Sequence, residues 1–229
     1  MYRGIYIALS GAILKETQLE TITRNLSNSN TIGYKREGLS FRDCIVSEER
    51  GRIMASASSV NIDFSEGQLI RTGNTLDIAI NGDGFISLAG NRYTRRGDLK
   101  RDKDGFLTTR EGIRVLGKNG PIRIPDGRIE IDREGNIAVN GVTIDRIKIV
   151  NLSINNNMVR VGDSAFYTEE AGKETKAEVL QGYLEGSNVN VIDEMVKMIT
   201  TLREFESYQK VIHAFDEATS KLSNEIMKI

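Results

Sequence analysis

The sequence is poor in the residues from which reactive centres are usually built. It holds one cysteine, Cys44, one histidine, His213, and no tryptophan among 229 residues. A lone cysteine excludes an internal disulfide and a CxxC metal knuckle. A zinc site or a Ser/His/Asp triad would have to be built around His213 alone. An excess of either charge is missing too, since 31 Lys and Arg stand against 32 Asp and Glu. Nucleic-acid partners usually require a basic face, so none is expected. No stretch approaches the roughly 20 apolar residues of a membrane span, so no membrane insertion is expected. The only prolines, Pro121 and Pro125, flank one short edge or loop segment. This composition disfavours an enzyme and calls for no cofactor or metal.

What the chain does have is apolar spacing at both ends. Ile5, Ala8, Ala12, Leu19, Ile22 and Leu26 stand at three- and four-residue steps, interrupted only by Lys15. That is a heptad stripe on one helix face, suited to packing on another helix. The helix should stop near Asn28–Gly33, where Asn, Ser and Gly favour caps and turns. Arg3 followed by the apolar run Ile5–Leu14 also has the look of a short signal peptide. No small-x-small site follows, however, and the spacing continues past Leu14, so no cleavage is expected.

The last forty residues repeat the theme. Asn190 is placed to cap a helix, with Asp193 and Glu194 in the first turn where the helix dipole favours negative charge. Ile192, Met195, Ile199 and Leu202 form one apolar run; Tyr208, Ile212, Phe215, Leu222, Ile226 and Ile229 form another. The spacing predicts a phase slip near Phe205, like a stutter between heptad blocks. A forty-residue helix spans about 60 Å, longer than a compact domain of this size needs.

Between the helical ends, short alternating runs such as Leu76–Ile80 and Arg128–Ile131 are separated by turn pairs. Asp104-Gly105, Asn119-Gly120, Asp126-Gly127 and Asn140-Gly141 recur through this block and read as hairpins of an all-β barrel or sandwich. Residues 33–65 are polar, Ser- and Ala-rich over 55–59, and carry little periodicity, so an extended connector is expected there. The expected fold class is therefore α+β. Residues 1–32 and 186–229 would form a discontinuous helical stem, and 66–185 a central β-rich domain.

An isolated helix with one apolar stripe is marginal in water and needs a partner face. Two terminal helices cannot enclose all the apolar side chains they carry. The surplus should pack against other chains, closing into rings or continuing as helical filaments. The assembly interface expected on this basis comprises the stripe residues of both helices, from Ile5 to Leu26 and from Ile192 to Ile226. The bland alternative is an α+β domain whose helices cover one sheet.

Three segments resemble the flagellar basal-body rod protein family of the FlgF/FlgG type. SGAILKETQLETITRNLSNSNTIGYK (Ser10–Lys35) is similar to the family's first helix and its NLxNxNTxGYK ending. EGQLIRTGNTLDIAINGDGF (Glu66–Phe85) with RYTRRGDLKRDKDGFL (Arg92–Leu107) resembles the start of its β-domain. QGYLEGSNVNVIDEMVKMI (Gln181–Ile199) resembles the entry to its last helix. The start MYRGIYIALSGA, Gly120–Pro125 and Ile144–Val150 look most like the proximal-rod type. The distal-rod type is the close runner-up, and the longer hook-type subunit a further alternative. The resemblance implies a non-catalytic, self-assembling subunit of the rod that crosses the periplasm. Its partners would be copies of itself, other rod and hook subunits, and the flagellar type III export apparatus. It also implies export without signal cleavage, with Phe41 and Ile45 of FRDCI matching an aromatic-x-x-x-aliphatic pattern linked to export-gate recognition.

Two other function classes are compatible with parts of the sequence. A secreted hydrolase would need carboxylates or a nucleophile converging in the β-domain. A calcium module could use Asp102, Asp104, Gly105 and Glu111 at loop positions 3, 5, 6 and 12, but Lys100 occupies position 1, where a carboxylate should coordinate. A hairpin turn fits this segment better. NGDG (Asn81–Gly84) lacks the spacing and following helix of a phosphate cradle. His213, near Asp216 and Glu217, fits a helix-surface ion pair, and Arg42 near Cys44 does not by itself make a reactive thiol.

Overall fold

The computed structural model describes residues 2–46, 52–152, 158–162, 164–169, 172–175 and 177–226, with backbone alone at 2–3, 41–46, 52–60 and 222–226. It divides into two compact units. One comprises Met1–Ser27, Arg36–Asp63 and Asn190–Ile229; the other comprises Asn28–Lys35 and Phe64–Val189. The class is the expected α+β, with a helix from each end of the chain and a β-rich block between.

The helical unit is built on α1 (Tyr2–Ser27) and α2 (Val191–Ile226). The Asn190 side chain caps α2, its Oδ1 accepting from the backbone N–H of Ile192 at 3.0 Å and of Asp193 at 3.4 Å. Against α1 lie two long antiparallel strands, β1 (Glu37–Val46) and β2 (Arg52–Ile62), with a register shift between Ser40 and Phe41. Residues 33–65, expected as an extended connector, are extended and carry these paired strands, and Arg36–Asp63 groups with the two helices. Small Ala and Ser side chains conceal the strand from an apolar count, because backbone pairing needs no apolar alternation.

The β unit begins with β3 (Leu69–Arg71), β4 (Ile78–Asn81), β5 (Phe85–Leu88) and β6 (Arg92–Thr94). Strands β6 and β5 are central in a six-stranded sheet ordered 159–161, 165–167, β6, β5, 149–151, 173–174. A three-stranded meander follows the chain through 129–131, 136–139 and 142–146. Its second turn, Asn140-Gly141, has positive φ at both residues (52° and 80°), as a tight type I′ hairpin requires. The last two strands return to the first two. Residues 178–181 pair with β4, and 183–185 pair with β3. Ile78, Ile80, Ile86, Leu88, Ile122, Ile137 and Val179 sit in one buried core. Each such side chain contributes about 1.5–3 kcal/mol by leaving water. Gly97 is required for this packing, since an added Cβ would fall on the Ile78 carbonyl oxygen.

Candidate functional site

Within the helical unit, α1 and α2 run antiparallel in a small-on-large seam. Gly4 lies under the Phe215 ring, and Gly11 under the Tyr208 ring, where an added Cβ would come within 2.6 and 2.5 Å respectively. The seven-residue spacing of the glycines matches that of the aromatics, one heptad against another. Lys15, the interruption in the first stripe, reaches Glu204 at 2.7 Å. Ala8, Ala12 and Ile22 are buried, with Ile5, Leu19 and Leu26 half-buried on the same side.

The inward line of α2 is Glu194, Met198, Thr201, Phe205, Tyr208, Ile212 and Phe215, at alternating steps of four and three with no slip. Glu194 and Thr201 are buried, and the other five are half-buried. The expected stutter near Phe205 is therefore absent. The first apolar run of α2 lies on a different face from the second: Ile192 is 73% exposed, and Met195, Val196, Ile199 and Leu202 are exposed with it. On α1, Tyr6, Ile7, Leu9 and Ile13 are likewise exposed. The helical pair thus carries apolar side chains both in its seam and on its outside. Leu222 and Ile226 fall in α2, and Phe41 and Ile45 in β1. The side chains of these four lie outside the described residues.

A polar corner closes the seam where α1 ends and α2 begins. Asn25 brackets the backbone of Glu37, donating to its carbonyl at 2.8 Å and accepting from its N–H at 2.9 Å, and also donates to Glu194 Oε2 at 3.2 Å. Glu194 Oε1 meets Lys197 at 2.7 Å and Arg36 at 3.5 Å. Burial alone would raise the Glu194 carboxyl. The hydrogen bonds from Lys197 and Asn25 and the charges of Lys197 and Arg36 outweigh it and hold the carboxyl below its ordinary range.

The β unit holds a second, wholly buried ionic centre. Glu185 accepts from Lys35 Nζ at 2.6 Å, from Arg95 at 3.2 Å and from the Gly67 N–H at 3.0 Å. All three charged side chains are 3% exposed or less. Lys35 also donates to the Ser65 carbonyl at 2.6 Å, and Arg95 to those of Ile80 at 3.1 Å and Gly82 at 2.6 Å. Burial pushes the Lys35 amine below its ordinary range against the pull of Glu185. Gly33, at φ +67°, donates its N–H to the Glu185 carbonyl at 2.7 Å, and a Cβ there would meet the Arg96 backbone. Sequence reading missed this centre, because its members are 150 and 90 residues apart. The available signal was that each lies in one of the three quoted motifs.

Family models match the same three regions. "Flagella basal body rod protein" covers residues 5–35, "Flagellar hook protein FlgE/F/G D1 domain" covers 79–157, and "Flagellar basal body rod FlgEFG protein C-terminal" covers 180–225. The rod protein FlgG of Bacillus subtilis is 32% identical over 98% of this chain and 99% of its own. The chain belongs to the flagellar basal-body rod FlgEFG family. FlgF of Mesorhizobium japonicum is 30% identical over 98% of this chain and all of its own, and FlgF of Escherichia coli 30% over the whole of both. Each matched region supplies one member of the buried centre: Lys35 from the first, Arg95 from the second and Glu185 from the third.

The calcium-loop alternative meets a structural obstacle. Lys100–Arg101 pairs with Leu107–Thr108 as a hairpin, and the Asp102 carboxylate accepts the N–H groups of Asp104 and Phe106 at 3.0 and 2.7 Å. Among the described residues no group of three or more His, Cys, Asp or Glu is arranged to hold a metal. His213 is exposed on α2. No described helix is long and apolar enough to cross a membrane.

Proposed function

We propose that this chain is a non-catalytic structural subunit of the flagellar basal-body rod that polymerises through the outer apolar lines of α1 and α2. The observation that carries this reading is the double use of α2. Its inner line is occupied by α1, yet Ile192, Met195, Val196, Ile199 and Leu202 remain in water. Contiguous exposed apolar surface of this kind marks an interaction site. The partners are copies of the same chain and other rod and hook subunits, which together form part of the drive shaft. The seam residues from Ile5 to Leu26 and from Tyr208 to Phe215 shape each stem, while the outer lines join stems.

The proximal-rod type, FlgF, is proposed on the start MYRGIYIALSGA, Gly120–Pro125 and Ile144–Val150, with distal-rod FlgG as the alternative. Relatives of both names match, at 32% for one FlgG and 30% for one FlgF. In this reading the chain is exported uncleaved through the type III apparatus, with Phe41 and Ile45 as its recognition pair, and lies in the rod across the periplasm.

The test is a pair of charge insertions, Ile192→Glu and Ile199→Lys, introduced separately. Both positions are exposed, so the monomer should keep its helicity and melting point while incorporation into basal bodies and swimming are lost. Normal motility in both variants would sink the reading.

A further inference from the structure

We propose that the β unit closes from its C-terminal end, with Glu185 as the closing group. Lys35 and Arg95 are buried in the finished unit, and among the described residues Glu185 is the only carboxylate that forms an ion pair with either. Glu66, the other acidic neighbour of Lys35, accepts the Gly82 N–H at 2.6 Å. Burying a cation in an apolar interior without a counter-charge is strongly unfavourable. Until Glu185 arrives, Lys35 and Arg95 therefore stay hydrated and the chain around them stays open.

The segment that carries Glu185 makes further closing contacts, beside the bond from Arg160 to the Lys35 carbonyl at 2.6 Å. It pairs with β4 and β3, its Gly186 N–H donates to the Gln68 carbonyl at 2.8 Å, and its Asn188 side chain donates to the Ser65 carbonyl at 3.0 Å. The same segment also reaches the first strand of the meander and the turn after it, where the Val179 N–H donates to the Arg133 carbonyl at 2.9 Å and the Gln181 side chain accepts from the Ile131 N–H at 3.1 Å. In a chain made from its N-terminus, two basic residues thus wait in water for an acidic one that follows 150 and 90 residues later. The hairpins between them can form first, because their contacts are local.

Amide hydrogen exchange on the full-length chain tests this with three variants. Glu185→Gln keeps the shape and removes the charge. Exchange should quicken about 100-fold or more at 69–71, 78–81 and 178–185 together, while the hairpin 136–146 stays protected. Removing all three charges, as Lys35→Met/Arg95→Met/Glu185→Leu, should restore slow exchange at those strands. Glu178→Gln, in the same strand pair but bound to exposed Arg133, should leave the pattern unchanged. An unaltered Glu185→Gln profile would overturn the proposal. So would a uniform loss across the unit, or a triple variant as open as the single one.

Discussion

Replacing Asn25 by alanine removes three hydrogen bonds at once and leaves their partners in a buried corner. Two are neutral bonds to the Glu37 backbone and one is to the Glu194 carboxylate. Neutral bonds contribute about 0.5–1.5 kcal/mol each and a bond to a charged group about 1.5–3. The sum is about 4 kcal/mol, a large share of the stability of a unit this size. For such a unit each kcal/mol moves the melting point by about 4–8 °C, so a fall of at least about 15 °C is expected. Thermal and urea unfolding followed by far-ultraviolet circular dichroism read the two quantities, because most of the helix lies in this unit. Asn25→Asp sharpens the result. It preserves volume but sets a second carboxylate beside Glu194 and removes the donor to the Glu37 carbonyl. At pH 7 it should destabilise at least as much as alanine. A loss below 1 kcal/mol for Asn25→Ala would refute the reasoning, since it would mean that Glu37 and Glu194 find new partners at no cost.

Gly97→Ala should be among the most damaging single changes in the β unit, at about 3 kcal/mol or more. Its Cβ meets the Ile78 backbone oxygen, which cannot rotate away; a thermal melt within a few degrees of wild type would contradict this. Gly11→Ala gains about 1 kcal/mol of helix propensity but presses on the Tyr208 ring, and overpacking costs about 1–3. Calorimetry should therefore show a net loss of about 1 kcal/mol, and a stabilised variant would show that the ring moves freely. For Glu194 the folded carboxyl lies below its unfolded value near 4.3. Its contribution is present above about pH 4.3 and is lost as pH falls through the depressed folded value. Glu194→Gln should flatten that acid limb of a stability–pH curve; a limb of unchanged slope would remove Glu194 as its source.

The seam of the first helix was legible because its stripe faces α2, and Lys15, the one interruption, is answered by Glu204; the outer line of Tyr6, Ile7, Leu9 and Ile13 was not read. The second was misread because two lines overlap along it. A polar Glu194 and Thr201 lie in the buried line while Ile192 and Ile199 lie outside, so counting apolar residues joins pieces of different faces into one slipping stripe. Turn chemistry located the hairpins at Asp104-Gly105, Asn119-Gly120 and Asn140-Gly141, the last with positive φ at both residues. Asp126-Gly127 is instead a bend between strands that pair elsewhere, since a Gly turn does not choose its strand partners. The hairpin of β1 and β2 left little trace, since ladder hydrogen bonds carry no side-chain signature. The buried centre of Lys35, Arg95 and Glu185 could not be read from spacing at all. Opposite charges occur throughout the chain, and only the fold selects which three meet.

The way the β unit is fastened has an engineering consequence. Its ionic fastening gathers residues 33–35, 64–67, 80–82, 95 and 185, so the excursion from Asp98 to Ala177 begins and ends with its roots tied. Lengthening a loop on such an excursion adds entropy only as the logarithm of its length, about 0.6 kcal/mol per doubling. The tip at Asn140-Gly141, followed by the exposed Val142, is a natural place to graft a tag or a small reporter domain. A chain carrying such cargo would keep its fastening, and both terminal helices would remain unaltered.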